Sequence, residues 1–221
     1  MNFDAATWQM ILAGIWETVY MVIGSTLIGY LIGLPLGVIL IVTRKNGIHP
    51  LPVVNEILGV IINIFRSVPF IILLITLIPL TRLLVGTSLG PKAVIPPLVI
   101  ASAPYIARVI ESELAEVDSG VIEAAKSMGA SDWQIIWKVL LPEAKPSIIL
   151  GAALVLTTVV GYSCMSGFVG GGGLGDIAIR YGYYRYQADI MMVTVVILIV
   201  LVQLIQEAGN RLSSKTDRRI R

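Results

Sequence analysis

Charge is scarce in this sequence. Lys and Arg number 16 and Asp and Glu 14 among 221 residues, so 14% of the chain is charged, against about 25% in an ordinary soluble domain. That scarcity argues against a soluble globular protein, and a formal net charge of +2 is too small to point to a nucleic-acid partner. Cysteine occurs once, at Cys164, which excludes an internal disulfide framework and leaves the redox compartment open. Histidine also occurs once, at His49 in the loop-like NGIHPLP, so no second imidazole is available to share a metal. One histidine and scattered serines make no nucleophile site. No G-x-x-x-x-G-K-[ST] occurs, so the chain has no P-loop and any ATP chemistry belongs to a partner. The opening MNFDAATW lacks the basic region of a secretory signal peptide and is expected to persist as a short tail.

What the chain does contain is apolar surface: 56% hydrophobic residues and a mean hydropathy of +0.87. A bilayer core of about 30 Å takes about 20 apolar helical residues. The uncharged runs predict an all-α integral membrane protein with five transmembrane helices, at about 18–43, 60–80, 91–110, 146–167 and 190–207. Residues 1–221 are read as one transmembrane domain. Arg66 and Arg108 fall inside or near the ends of the second and third spans. Arg66 lies about six residues, roughly 9 Å, inside its span; the expectation is snorkelling or interhelical pairing. Arg108, with Glu111 and Glu113 nearby in sequence, reads as an interfacial charge cluster.

Five crossings put the termini on opposite sides, and the positive-inside rule chooses between the two orientations. With the N-terminus outside, the cytoplasmic segments hold Arg44, Lys45, Lys126, Lys138, Lys145, Arg211, Lys215, Arg218, Arg219 and Arg221. Only Arg82, Lys92, Arg180 and Arg185 then lie outside. The expected orientation is N-out and C-in, which puts residues 118–144 in the cytoplasm. Prolines and glycines interrupt the spans at Gly33-Leu34-Pro35, Ser67-Val68-Pro69, Pro96-Pro97 and Ala103-Pro104. Each is either an interruption tolerated by neighbouring helices or a point where a helix bends between two states.

The 118–144 segment reads as helix, break, helix. Asp118 or Ser119 caps a first helix with Val121, Ala124, Ala125 and Met128 on one face, and Gly129 stops it. Ser131 and Gln134 form a capping box for a second helix, whose Trp133, Ile136, Trp137, Leu140 and Leu141 make a stripe before Pro142 ends it. Such a pair suits either the inner membrane surface or a groove on another protein, into which the small residues Ala124, Ala125 and Gly129 would fit.

The spacing favours the second use. Glu123-Ala124-Ala125, three residues, Gly129, nine residues, then Val139-x-Leu141-Pro142 resembles the EAA loop of ABC importer permeases, with valine for isoleucine at position 139. In that family the loop forms coupling helices that fit a cleft on a cytoplasmic ATPase. GIWETVYM, NIFRSVPFIILL, IPLTRLLVGTSLG, VGYSCM, GGGLG and LIQEAGNRL extend the resemblance over nearly the whole chain, to the methionine-importer branch. The resemblance implies a type I ABC importer permease-like fold and import of L- and D-methionine by alternating access. It implies a homodimer with two copies of the ATPase and a periplasmic or lipid-anchored methionine-binding protein. No cofactor is expected on this chain, with ATP and magnesium on the ATPase. By the same resemblance Met165 matches a gate residue on the pathway axis, and Tyr162 and Ser163 are adjacent pathway candidates. A permease for another small solute, such as a polar amino acid, and a gradient-driven secondary transporter are the alternatives. Gly170 to Gly175 satisfies G-x-G-x-x-G literally, but a membrane span precedes it instead of a strand. It reads as a flexible turn or a backbone-packed outer loop. The run YGYYRY, 181–186, suits the outer interface, or contact with a docked binding protein.

Overall fold

The computed structural model describes residues 3–217, and among them there is helix and no strand. Arg218, Arg219 and Arg221, which entered the charge count, lie outside the described residues. The first helix, α1, runs from Ala5 to Thr43, thirteen residues ahead of the expected start at 18. Asp4 caps it: its Oδ1 accepts from the Thr7 hydroxyl and from the Thr7 N–H at 2.9 Å. Those two bonds, the hydroxyl's first, hold the Asp4 carboxyl below its ordinary value. Within the segment read as a tail, Ala5 to Trp8 are therefore helix.

The second span is not one helix over 60–80. It is a broken series: α2, Pro52–Ser67, α3, Phe70–Thr76, and α4, Ile78–Val85, with α2 and α3 bent by 92°. The cause is local. A residue preceding proline is pushed out of the helical region, and Val68, before Pro69, sits at φ −81° and ψ 122°. The series nonetheless reaches the opposite end of the molecule. It starts beside the C-terminus of α1, where Asn55 Nδ2 donates to the Leu40 carbonyl at 2.6 Å. It ends at a loop whose Leu89, Gly90 and Pro91 border one cavity with Trp16 and Glu17. Glu17 lies about 39 Å along α1 from Thr43. Of the four interruptions, this is the one that breaks a helix in two. Pro35 lies inside continuous α1, and Pro96, Pro97 and Pro104 lie inside continuous α5, Pro91–Ala115.

Helix α5 is the centre of the fold. Leu98, Ile106, Ala107 and Ile110 have no exposed surface. Against it lies α1, which brings Gly29, Gly33 and Gly37 onto its buried face, one every four residues. A Cβ on Gly33 would come within 2.6 Å of the Ala103 carbonyl oxygen, and one on Gly37 within 2.7 Å of the Ala107 oxygen. In lipid, where apolar surface gains little by leaving its surroundings, such small-residue contact lets backbones approach and pack. On its other side α5 meets α8, Leu141–Met165, which in turn packs on α10, Ala188–Thr216. A Cβ on Gly209 of α10 would sit 2.5 Å from Ala153 Cβ of α8, and Ser213 Oγ donates to the Pro146 carbonyl at 2.9 Å. Among the described residues four helices are long and apolar enough to cross a membrane, and the crossings number five when the bent α2–α3 pair is counted as one span.

The glycine run is packed, not flexible. Gly171 and Gly173 to Gly175 are buried. Gly172 and Gly173 adopt φ of +79°, a conformation open chiefly to glycine. This turn aims the N–H groups of Gly173 and Leu174 at Glu17 Oε2, 2.7 Å, and Thr18 Oγ1, 2.9 Å. The short helix α9, Gly173–Ile177, is thus fixed to the N-terminal half of α1.

Candidate coupling surface and pathway residues

Between α5 and α8 the helix boundaries fall as the sequence pattern requires, with one exception. Helix α6, Ser119–Ser127, begins at Asp118, whose Oδ1 accepts from the Gly120 N–H at 2.7 Å. It ends in a Schellman motif: Gly129 N–H donates to the Lys126 carbonyl, 2.9 Å, and Ala130 N–H to the Ala125 carbonyl, 3.1 Å. Gly129 takes φ +79°. Helix α7, Asp132–Ile135, opens on the expected capping box, Gln134 N–H to Ser131 Oγ at 3.4 Å and Ser131 N–H to Gln134 Oε1 at 3.0 Å.

The exception is Pro142, which does not end the second helix. A π-helical stretch, Ile136–Leu140, joins α7 directly to α8, and Pro142 occupies the first turn of α8. The wider turn lets Leu141 N–H reach the Ile136 carbonyl, and proline, lacking an N–H, is tolerated where a new helical ladder begins. Residues 132–169 therefore form one helical path. No loop intervenes between α7 and α8.

The faces also differ from the sequence reading. Glu123, Ala124, Met128 and Gly129 are exposed, with Met128 81% accessible, but Ala125 is buried at 4% and faces the chain itself. The accessible small-residue surface is Ala124 with Gly129. In the second half the buried side is Ile135, Leu140 and Ala144, with Val139 and Leu141 half-buried and Pro142 exposed. Trp133 and Trp137 point outward, 68% and 53% exposed, with ring centroids 5.4 Å apart. The stripe of five expected apolar residues thus splits, because the π turn rotates the residues after Ile135 relative to an unbroken helix.

The pathway candidates separate as well. Met165 ends α8 and is 44% exposed. Tyr162 stacks on Phe70, centroids 4.8 Å apart and planes 11° from parallel. Ser163 is 1% exposed, and its hydroxyl donates to the Val160 carbonyl at 2.8 Å. The structure thus brings Tyr162 and Met165 to the end of α8, with Phe70 beside Tyr162, and turns Ser163 inward. Phe70 escaped the sequence reading because only the bend at Pro69 brings it there. Arg66, just before that bend, sits over the Tyr105 ring at 5.9 Å, an interhelical cation–π contact. Arg108 donates to Glu111 at 2.6 Å and to the Gly59 carbonyl and Asn63 Oδ1, both at 3.0 Å, clamping α2 to α5. In YGYYRY, Tyr183, Tyr184 and Tyr186 are exposed, and Arg185 covers the Tyr181 ring at 4.6 Å.

Comparison with known proteins places this geometry. A probable D-methionine transport system permease protein of Vibrio cholerae is 52% identical over 211 residues, covering 96% of this chain and 94% of that protein. The methionine import system permease protein of Bacillus subtilis is 44% identical over 181 residues, 82% of each chain. In solved structures of inward-facing conformations of the MetNI methionine ABC transporter, a chain 47% identical superposes with a TM-score of 0.96, covering 98% of this chain and 100% of that one. An amino acid ABC transporter at 19% identity and a TM-score of 0.77 shares the fold. The profile of binding-protein-dependent transport system inner membrane components matches residues 33–216, and the chain belongs to that family.

Proposed function

We propose that this chain is the membrane-spanning permease subunit of an ATP-driven methionine importer. The observation that carries the reading is the superposition of nearly the full length on a chain of the MetNI methionine ABC transporter, at 47% identity. ATP and magnesium belong to an ABC ATPase that meets helices α6 and α7, the coupling unit, on its exposed Glu123, Ala124 and Gly129 side. The chain works as a homodimer carrying two ATPase subunits, with a methionine-binding protein on the outer side. ATP-driven closure of the ATPases draws the coupling units together and turns the permease outward, substrate enters from the binding protein, and hydrolysis restores the inward-facing state. Met165 and Tyr162 line the shared pathway. The N-terminus is outside and the C-terminus inside. In support, the 44–51 turn and the coupling unit touch each other at one end of the bundle, so Arg44, Lys45 and Lys126 gather on one side.

Reconstitution in vesicles with the cognate ATPase and binding protein tests this. Uptake of labelled methionine is expected only with ATP and the ATPase present, and it is expected to outpace uptake of polar amino acids. Equal uptake without ATP or without the ATPase would sink the reading.

A further inference from the structure

The coupling unit is tied to the rest of the chain at more than its two covalent ends. The turn between α1 and α2, residues 44–51, folds back on α1: His49 N–H donates to the Val42 carbonyl and Leu51 N–H to the Thr43 carbonyl, both at 3.0 Å. Gly47 permits that close return, since a Cβ there would lie 2.3 Å from the Val42 oxygen. Asn55 of α2 donates to the Leu40 carbonyl, 2.6 Å, and Thr43 Oγ1, 3.1 Å. The turn is therefore part of a rigid α1–α2 corner.

Both halves of the coupling unit rest on two adjacent residues of this corner. Lys126 Nζ of α6 donates to the Ile48 carbonyl at 3.2 Å. Asp132, at the start of α7, faces His49, with Oδ2 3.0 Å from Nδ1. The Ile48 side chain is buried in the same cluster as Ala125 and Ile135. The contact is narrow, because a cavity of about 430 Å³ opens beside it between Arg44, Asn46 and Glu123. Few side chains can carry force across it.

We infer that Ile48 and His49 form a strut that transmits motion of the coupling unit to α1 and α2, in parallel with its covalent links to α5 and α8. This inference rests on the proposed function. Without the strut, displacement of α6 and α7 would reach α5 and α8 directly but α1 only through helix packing. With it, the whole face of the bundle turns together, and coupling between nucleotide and substrate sites runs through a contiguous set of contacts. His49 is a positioning residue. It lies outside the coupling unit, so a change there separates transmission from ATPase docking.

The test is a double-mutant cycle in the reconstituted transporter. His49→Ala, Asp132→Ala and the double variant are compared for methionine moved per ATP hydrolysed, and separately for affinity between permease and ATPase. Both side chains are more than 40% exposed, so folding is expected to survive. The strut predicts that each single change lowers the transport-to-hydrolysis ratio about two- to five-fold, with ATPase affinity unchanged in His49→Ala. The double variant is expected to be no worse than either single one, and His49→Gln, which keeps a donor, to recover most of the ratio. An unchanged ratio in His49→Ala, or additive losses in the double variant, would overturn the strut. A loss in Asp132→Ala alone, explained by weaker ATPase binding, would overturn it as well. Wild-type uptake independent of ATP would instead remove the proposed function, and the strut with it.

Discussion

A methyl group added at Gly37 would meet backbone. Its carbon would lie 2.7 Å from the Ala107 carbonyl oxygen and 2.7 Å from Ile110 Cβ, so α1 and α5 would have to separate. Overpacking of this kind costs about 1–3 kcal/mol. Gly37→Ala is expected to lower the thermal midpoint of the purified protein in detergent by several degrees. Gly161→Ala is the matched control, because nothing lies within 4 Å of a Cβ there and alanine favours helix by about 1 kcal/mol over glycine. Its midpoint should stay level or rise. Equal losses in the two variants would show that helix approach at Gly37 is not what the glycine provides. The signal was present in the sequence as Gly29-x3-Gly33-x3-Gly37, a small-residue repeat at helical spacing. It overlaps the Gly33-Leu34-Pro35 interruption, which reads equally as a bend. Proline inside α1 does not break the helix, and the glycine two residues earlier serves packing.

Within the coupling unit, the caps were legible because each is a local rule: Asp118, Gly129 and the Ser131–Gln134 box satisfy orphan backbone groups within a few residues. The π turn at 136–140 was not legible. It depends on how α7 must be rotated to bury Ile135 while α8 follows its own packing against α5 and α10, and no residue type marks that demand. The same limit explains Ala125, which pattern placed with Ala124 but which packing turned inward. The face left accessible carries Glu123, Ala124 and Gly129. Gly129→Asp adds a charge and a side chain at φ +79° where nothing lies within 4 Å, so an internal clash is not the mechanism. Left-handed backbone costs a non-glycine residue about 1–2 kcal/mol, with asparagine and aspartate the best tolerated. Gly129→Asp and Glu123→Lys are expected to weaken ATPase association by on the order of ten-fold, about 1.4 kcal/mol, measured by co-purification or titration. Membrane insertion should be unaffected. Gly129→Asn, uncharged and compatible with the left-handed conformation, should retain most of the binding. Wild-type association in both charged variants would remove the docking assignment.

At the scale of the whole molecule, the proposed pathway lies between two copies of the chain. The end of α8 leaves Met165 exposed at 44%, with Tyr162 held beside it by its stack on Phe70, so any seal at this level needs a second surface. In the proposed homodimer that surface is the same residue of the partner, since a two-fold interface sets equivalent positions against each other near its axis. An unbranched thioether suits such a seal because it adapts its shape as the two halves rock. Replacing the lone native thiol by Cys164→Ser and adding Met165→Cys makes the arrangement measurable. Mild oxidation in membranes should then give a disulfide-linked dimer, visible without reductant, and the yield should change when ATP binding reorients the permease. Leu212→Cys in the same background is the comparison, an exposed position on α10 next to Ser213, which bonds Pro146 at the opposite end of α8. It should cross-link little in either state. Strong linkage through Leu212 with none through Met165 would place the contact between copies on α10 and take Met165 off the axis.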